Sequence, residues 1–401
     1  MKTQANSEGK VTGRRPIPRI VLLIESSRGS GRNLIQGIAE YLRGHGPWSF
    51  YWEPRGMETA LPVLREMDVD GIILRDTDML DDVLALNIPA IVVGHHRGEV
   101  PNLINVITDS PNIGRKGAEH LIDCGFKHFG FCGFESLSWS DQRLQSFTQR
   151  ILEQGFEEVY SYSLSVHPYR TPENTRQWES ERQRMARWLK TLPKPLGLMA
   201  CNDDCGAEVI EACKLANLPI PDAVGVLGAD NDEIVCGLAD PPMSSIVLNF
   251  ERAGFEAARI LDALIRKRGT GSRRIDVASS HVVARRSTDF VAAEDPNVAR
   301  ALQFIRDEAV RGLSVMEVAE HAGLSRRALE RRFRALLGRS VLKEIRRVRA
   351  DHIASLLVET HMPIAEIAEL MGFSDPQHIS RYFKAVKDLS PQAYRKAYLE
   401  R

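Results

Sequence analysis

The feature that most restricts how this chain can fold is a near-repeat toward its carboxyl terminus, "VAEHAGLSRRALERRF" and "IAELMGFSDPQHISRYF". Ala319, Gly323, Leu324 and Ser325 of the first copy correspond to Ala368, Gly372, Phe373 and Ser374 of the second. Leu329 and Phe333 then correspond to Ile379 and Phe383, after one added residue. Each copy reads as the same supersecondary unit. The small alanine lets two helices approach, and the glycine supplies the positive φ of a sharp turn. The serine caps the next helix, and apolar residues four apart anchor that helix to a core. This is a helix-turn-helix, whose second helix can enter a major groove.

With Leu329, Phe333 and Leu336 turned inward, Arg326, Arg327, Glu330, Arg331 and Arg334 face outward. In the second unit Gln377, His378, Arg381 and Lys384 do so. Arg and Gln suit bidentate contacts to guanine and adenine edges, and Lys and the other arginines suit phosphates. A single such pattern is as often an ordinary helical hairpin. Two copies with matching caps, both basic outward, favour a reader of double-stranded DNA. The stretch from Val341 to Glu359 is predicted as one helix joining the units. It would hold both reading helices on one face of DNA, about one turn or roughly 34 Å apart.

The charge distribution agrees. The chain has 53 Lys/Arg and 53 Asp/Glu, hence no net charge. Val291 to Arg401 nevertheless holds 19 basic against 15 acidic residues, and Arg326 to Arg349 ten against two. Most charge runs are solvated faces. A basic stripe beside a neutral body is also the footprint of phosphate binding.

Ahead of this region, short β-rich runs alternate with helical stretches from "RIVLLI" (Arg19 to Ile24) to the helical segment starting at Phe250. That alternation predicts an α/β fold with parallel, doubly wound sheets and helices on both faces. Its length suits two lobes. After "HVVARRSTDF" (His281 to Phe290) the strand-like runs stop, and Asp295 and Pro296 read as an N-cap and first helical residue. The expected organisation is a flexible arm over 1–18, a two-lobed effector domain over 19–288 and an all-α DNA-binding domain over 289–401.

Polar residues follow the carboxyl ends of successive predicted strands: Glu25 and Arg28, Arg75 and Asp76, His95, Asp109, Asn202 and Asp203, then Asp230 and Asn231. In open parallel sheets that edge binds ligands. Carboxylates and amides suit the hydroxyls of a polyol, arginine is a fixed donor fork, and an aromatic face suits a sugar's C–H surface. Trp139 and Arg143, in "WSDQR", can supply the last two. Any one of these residues is more often an N-cap or a loop ion pair, so the recurrence carries the argument.

Other patterns carry less. "RGSGRNLIQG" lacks the Lys-Ser/Thr of a phosphate loop and reads as a turn opening a helix. "GHHRG" and "CNDDC" lack further ligands, so no metal or cofactor is expected. Six scattered cysteines suggest reduced thiols in a cytoplasm. No apolar run approaches the roughly 20 residues that cross a bilayer, and no secretory leader is evident. The rival from another class is an α/β enzyme with a DNA-binding regulatory tail. No nucleophile–base pair, metal cluster or phosphate loop supports it.

The ending "GFSDPQHISRYFKAVKDLSPQAYR" resembles the signature of the arabinose-regulator family of bacterial transcription factors, and the resemblance runs from about Pro296 to Lys396. It implies base contacts from Arg327, Glu330 and Arg331, then Gln377 and Arg381. Glu330 departs from a position that is commonly uncharged in that family. "CNDDCGAEVIEACKLANLPIPDAVGVLGADNDE" resembles the sugar-binding domain of the lactose- and galactose-repressor type. That resemblance places Asn202, Asp230 and Arg143 on the sugar. The fused order, with "GADNDE" and "ARRSTDF", resembles pentose-responsive regulators. It implies D-xylose as effector, activation of pentose catabolism genes, a homodimer and RNA polymerase as a partner; a repressor, or another monosaccharide, stays open.

Overall fold

The computed structural model describes residues 17–54, 64, 66–76, 80–94, 99–165, 175–266, 274–290, 295–308, 310–360 and 362–398. Most of the arm and the two histidines of "GHHRG" lie outside them. The first lobe is a parallel six-stranded sheet in the order β11-β5-β4-β3-β1-β2. Its strands are β1 (Arg19–Leu23), β2 (Ser49–Trp52), β3 (Gly71–Arg75), β4 (Ala90–Val93), β5 (Ile104–Thr108) and β11 (Arg274–Val277). The second lobe is a six-stranded sheet in the order β12-β10-β9-β8-β6-β7. It comprises β6 (His128–Phe134), β7 (Val159–Leu164), β8 (Leu196–Ala200), β9 (Val224–Asp230), β10 (Ser244–Leu248) and β12 (Ser279–Val283). Only the β10–β12 pairing in it is antiparallel. Continuous apolar runs such as Leu196–Ala200 are buried throughout, as strands covered by helices on both faces must be.

Helices α1 (Gly29–His45), α2 (Leu80–Leu84) and α8 (Phe250–Ile265) serve the first lobe; α3 (Ser110–Asp123), α4 (Ser138–Glu153), α5 (Thr175–Thr191), α6 (Asp203–Ala216) and α7 (Glu233–Leu238) serve the second. Helices α1 and α8 touch backbone to backbone. A Cβ on Gly37 would stand 1.6 Å from the Glu251 carbonyl, and one on Gly254 1.9 Å from that of Leu34. The chain passes between lobes at Asp109, Asn249 and Ala278. These crossovers are bonded to one another: Asp109 N–H donates to the Val277 carbonyl at 3.1 Å, and Asn249 N–H to that of Ala278 at 3.0 Å.

From Pro296 the described chain is helical: α9 (Pro296–Asp307), α10 (Val315–His321), α11 (Arg326–Leu337), α12 (Val341–Glu359), α13 (Ile364–Leu370), α14 (Pro376–Lys387) and α15 (Pro391–Tyr398). Two separate apolar cores form here, one around Leu329 and Phe333, the other around Ile379 and Phe383. Helix α12 serves both. Val341 and Ile345 enter the first core, and Ile353, Ala354 and Leu357 the second. Its 19 residues span about 28 Å at 1.5 Å per residue.

The turns are built as the repeat implies, with Gly323 at φ +69° and Gly372 at φ +67°. Ser325 caps α11 by accepting from Ala328 N–H at 3.3 Å. The second unit differs from the expectation. Its added residue moves the cap to Asp375, which accepts from His378 N–H at 2.7 Å, with Pro376 opening the helix. Ser374 bonds to Asp375 and His378 instead. On α11 the inward residue of the last turn is Leu337, with Leu336 only partly covered.

Candidate functional site

A cavity of about 70 Å³ lies between the lobes. One water occupies about 10–15 Å³ by this measure, so there is room for about five to seven waters, the scale of a small polyol. Of the residues proposed from sequence, Arg28, Arg75, Trp139, Arg143, Asn202, Asp203 and Asp230 line it, whereas Asp76 and Asn231 do not and His95 lies outside the described residues. Glu25 and Asp109 do not line it either. The Glu25 side chain turns back to Ser27, and its carbonyl packs on Gly31. Asp109 caps α3 from the crossover, accepting from Asn112 N–H at 3.3 Å, and faces a separate surface groove. Ser30, Thr108, Asp204 and Asp232 complete the polar lining.

The polar groups have distinct tasks. Arg143, 2% exposed, donates to the Cys201 carbonyl and lies 4.8 Å over the Trp139 ring. Its Nε has no hydrogen-bond partner among the described residues. A buried donor left unpaired costs about 1–3 kcal/mol, which a ligand hydroxyl would recover. Burial pulls the guanidinium below its ordinary value, and Asp230 pulls it back. Asp230 sits at φ +112°, a region costly for a residue with a Cβ and common at ligand sites. Burial pushes its carboxyl up to about 6, against the pull of Arg143, Arg75 and Arg28.

Asp203 is engaged by the protein. Its Oδ1 accepts from Ser245 Oγ at 2.5 Å and its Oδ2 from Asp232 N–H at 2.7 Å. Burial, then the neighbouring Asp230 charge, pushes its carboxyl up to about 8. It holds the loop after β9 in place, and Asp230 is left to meet a ligand. Asn202 caps α6 by accepting from Cys205 N–H at 3.0 Å. The cysteines of "CNDDC" are buried behind it as thiols. No group of three or more His, Cys, Asp or Glu among the described residues could hold a metal ion.

Asp204 and Asp232 close the cavity, and sequence reasoning passed over both. Asp204 pairs with Arg28 across the lobes. Asp232 accepts from Gly29 N–H at 2.6 Å and from Arg32 Nη2 at 3.1 Å. Helix α1 has no side-chain cap of its own. A carboxylate of the opposite lobe therefore satisfies its first amide, as an N-cap would. The available signal was Asp232 as cap of its own short helix α7.

On the helical region Arg326, Arg327, Arg331 and Arg334 of α11 are exposed, as are Gln377, His378, Arg381 and Lys384 of α14. Glu330 is half-buried, with Arg334 4.0 Å away. Arg332 turns aside to Asp295 at 3.0 Å, tying α11 to α9. Buried Arg349 lies 4.1 Å over Phe373 and donates to the Met371 carbonyl, fixing the second turn. No described helix is long and apolar enough to cross a membrane.

Residues 118–288 match a family described as a periplasmic binding protein-like domain, and residues 318–397 a helix-turn-helix domain. The xylose operon regulatory protein of Escherichia coli strain K12 is 29% identical over 386 residues, 94% of this chain and 96% of its own length. Its namesake in Haemophilus influenzae is 26% identical over 390 residues, 94% of this chain and 98% of its own. Among solved structures, that of a xylose-binding transcription activator aligns over 96% of this chain and 99% of its own, at 27% identity and a TM-score of 0.58. A cellobiose-bound transcriptional regulator aligns over 69% of this chain and 86% of its own, at 22% identity and TM-score 0.55, and shows the fold of the two lobes. A two-lobed ligand-binding unit followed by paired helix-turn-helix units is the architecture of a sugar-responsive, DNA-binding transcription regulator. The relatives so named are regulators, not enzymes.

Proposed function

We propose that this chain is a D-xylose-responsive transcription activator of pentose catabolism genes. It acts in the cytoplasm as a homodimer, with RNA polymerase as its downstream partner. Residues 19–288 form the effector domain, 289–401 the DNA reader, and 1–18 an arm. The observation that carries the reading is the cavity where Arg143, Asp230 and Trp139 converge between two lobes ahead of two arginine-bearing reading helices. The names of the full-length relatives point to xylose.

In this reading the Asp230 carboxylate accepts from sugar hydroxyls, the Arg143 fork donates, and Trp139 covers C–H surface, with Arg28 and Asn202 beside them. Sugar contacts both lobes and so favours the closed form, a population shift driven by differential affinity. At the DNA, Arg327, Arg331 and Arg381 meet guanine edges and Gln377 an adenine. Glu330 accepts from a cytosine amino group, and Arg326, His378 and Lys384 hold phosphates. Calorimetry of the whole protein against D-xylose, L-arabinose, D-ribose and D-glucose tests the effector. Tightest binding of D-xylose supports it, and heat only with another sugar reassigns it.

A further inference from the structure

Two elements leave the crossovers for the second lobe, α3 after Asp109 and β12 after Ala278. Both go on to touch the helical region. At the far end of α3, Arg339 donates to Asp123 Oδ1 at 3.2 Å and to the Asp123 carbonyl at 2.7 Å. On β12, the Ser280 carbonyl accepts from the Tyr394 hydroxyl at 3.2 Å, and His281 Nε2 lies 2.8 Å from Ser355 Oγ. Lys116 of α3 donates to the same Ser280 carbonyl at 3.0 Å, so the two contacts belong to one body. The second lobe thus grips α12 from just before its start, along its length at Ser355, and again through α15.

The contact continues inward as a chain of ion pairs. Arg339 holds the buried Glu344 at 2.6 Å, Glu344 holds Arg347 at 2.7 Å, and Arg347 holds Asp351 at 3.0 Å. Asp351 pairs with Lys387, the last residue of the second reading helix α14. A cleft of about 1110 Å³ lies beside this chain, and His378 and Arg381 of α14 line it together with Arg115 of α3. The pose of the lobe against α12 therefore sets how open the space before Arg381 is. The crossovers are the chain segments that join the two lobes, and Ser280 and His281 lie two and three residues after Ala278.

We propose that this polar contact, Asp123, Ser280 and His281 against Arg339, Ser355 and Tyr394, is the surface through which the state of the ligand cavity reaches the second DNA-reading helix. The proposal rests on the sugar-responsive reading above. Its test is the full chain carrying Asp123→Asn, Ser355→Ala and Tyr394→Phe together, none of which lines the ligand cavity. The probes are D-xylose and a duplex selected by the wild-type chain from a random pool. Coupling between two sites is typically 5- to 150-fold in affinity. In the triple variant the D-xylose-induced change in duplex affinity falls below about twofold, and D-xylose affinity without DNA stays within about threefold of wild type. A variant that responds as fully as wild type overturns the proposal. Hydrogen exchange in the sugar-free, DNA-free protein gives an independent reading: amides of 279–283 and 341–359 exchange faster in the variant. Unchanged exchange in both segments overturns the proposal also. A wild type that ignores D-xylose sinks the functional reading instead, and the exchange measurement then decides this one alone.

Discussion

Replacing Asp232 by alanine should open the lobes and weaken sugar binding without removing any of the residues assigned to the sugar. Its carboxylate makes a buried, charge-assisted bond to Gly29 N–H at 2.6 Å. Such bonds contribute about 1.5–3 kcal/mol. It also pairs with Arg32, whose side chain is 38% exposed, so solvent screening limits that pair to below about 1 kcal/mol. Its cap on α7 belongs to one lobe and cancels between open and closed forms. The closed form therefore loses about 2–3 kcal/mol relative to the open one, or up to about 30- to 140-fold in affinity at 1.4 kcal/mol per decade. Arg32→Ala, removing the exposed pair alone, should cost less than about fivefold. Calorimetry with D-xylose measures both, and small-angle scattering of the sugar-free protein reports the opening. An Asp232→Ala protein that binds within about threefold of wild type and is equally compact refutes the reasoning.

Arg143→Ala should weaken D-xylose binding by about 10- to 100-fold, and lysine should not rescue it, because the donor fork is lost; calorimetry decides. Arg381→Ala should relax selectivity at one base pair at a cost of about 1–3 kcal/mol, whereas Lys384→Ala should weaken all duplexes alike and lower the salt slope by about one. Titration of selected and scrambled duplexes over a salt series separates the two. Burial alone would raise the Glu344 carboxyl, but Arg347 and Arg339 overcome it and hold it down to about 2 from 4.5. That gap corresponds to about 3 kcal/mol of stability, present in full above pH 4.5 and lost as pH falls toward about 2. Glu344→Gln should remove it, as read by urea unfolding, with the difference from wild type shrinking below pH 4.5. With Asp230 titrating at about 6, D-xylose affinity should fall below that pH while the sugar-free protein becomes more compact, and Asp230→Asn should flatten both profiles.

The sheets were legible where strands are continuous apolar runs, as in "GIILR" and "LGLMA", because burial on both faces leaves no other pattern. Strands β10 to β12 were not. "SSIVL" and "SSHVV" open with serines that hydropathy marks as surface, yet Ser244, Ser245, Ser279 and Ser280 are buried. Ser244 is satisfied by Ser287 and Thr288, and Ser245 by Asp203, from remote parts of the chain. The displaced cap on α14 was readable in principle. Asp375-Pro376 repeats the cap-and-proline signal of Asp295-Pro296, whereas the repeat aligns Ser374 with the cap Ser325. At the cavity, Arg143 and Asp230 followed from resemblance and strand-end position. Asp109 lies outside the cavity because the same strand-end position also serves as an N-cap, and only the third dimension shows which way a carboxylate points. Asp204 and Asp232 act between lobes, and their partners are more than 170 residues away in sequence.

The inter-lobe bonds raise a question of balance. A ligand shifts an equilibrium only by its differential affinity for the two states. If direct bonds alone held the lobes shut, sugar would change nothing. Among the described residues they include one buried bond at Gly29 and two ion pairs, Arg28–Asp204 and Arg32–Asp232, each with a side chain more than a quarter exposed. Together they favour closure by about 2–4 kcal/mol. Opposing them is the burial of Asp230, whose carboxyl rises from 3.8 to about 6. At pH 7 burying that charge disfavours the closed form, a penalty relieved as pH falls below about 6. The two terms oppose each other, so closure is not set by the direct bonds alone. A sugar whose hydroxyls donate to Asp230 and accept from the unmet Arg143 Nε removes the opposing term and leaves the latch to act. Protonation of Asp230 removes the same term but leaves a neutral carboxyl that accepts more weakly, so acid favours closure while weakening the hold on the sugar.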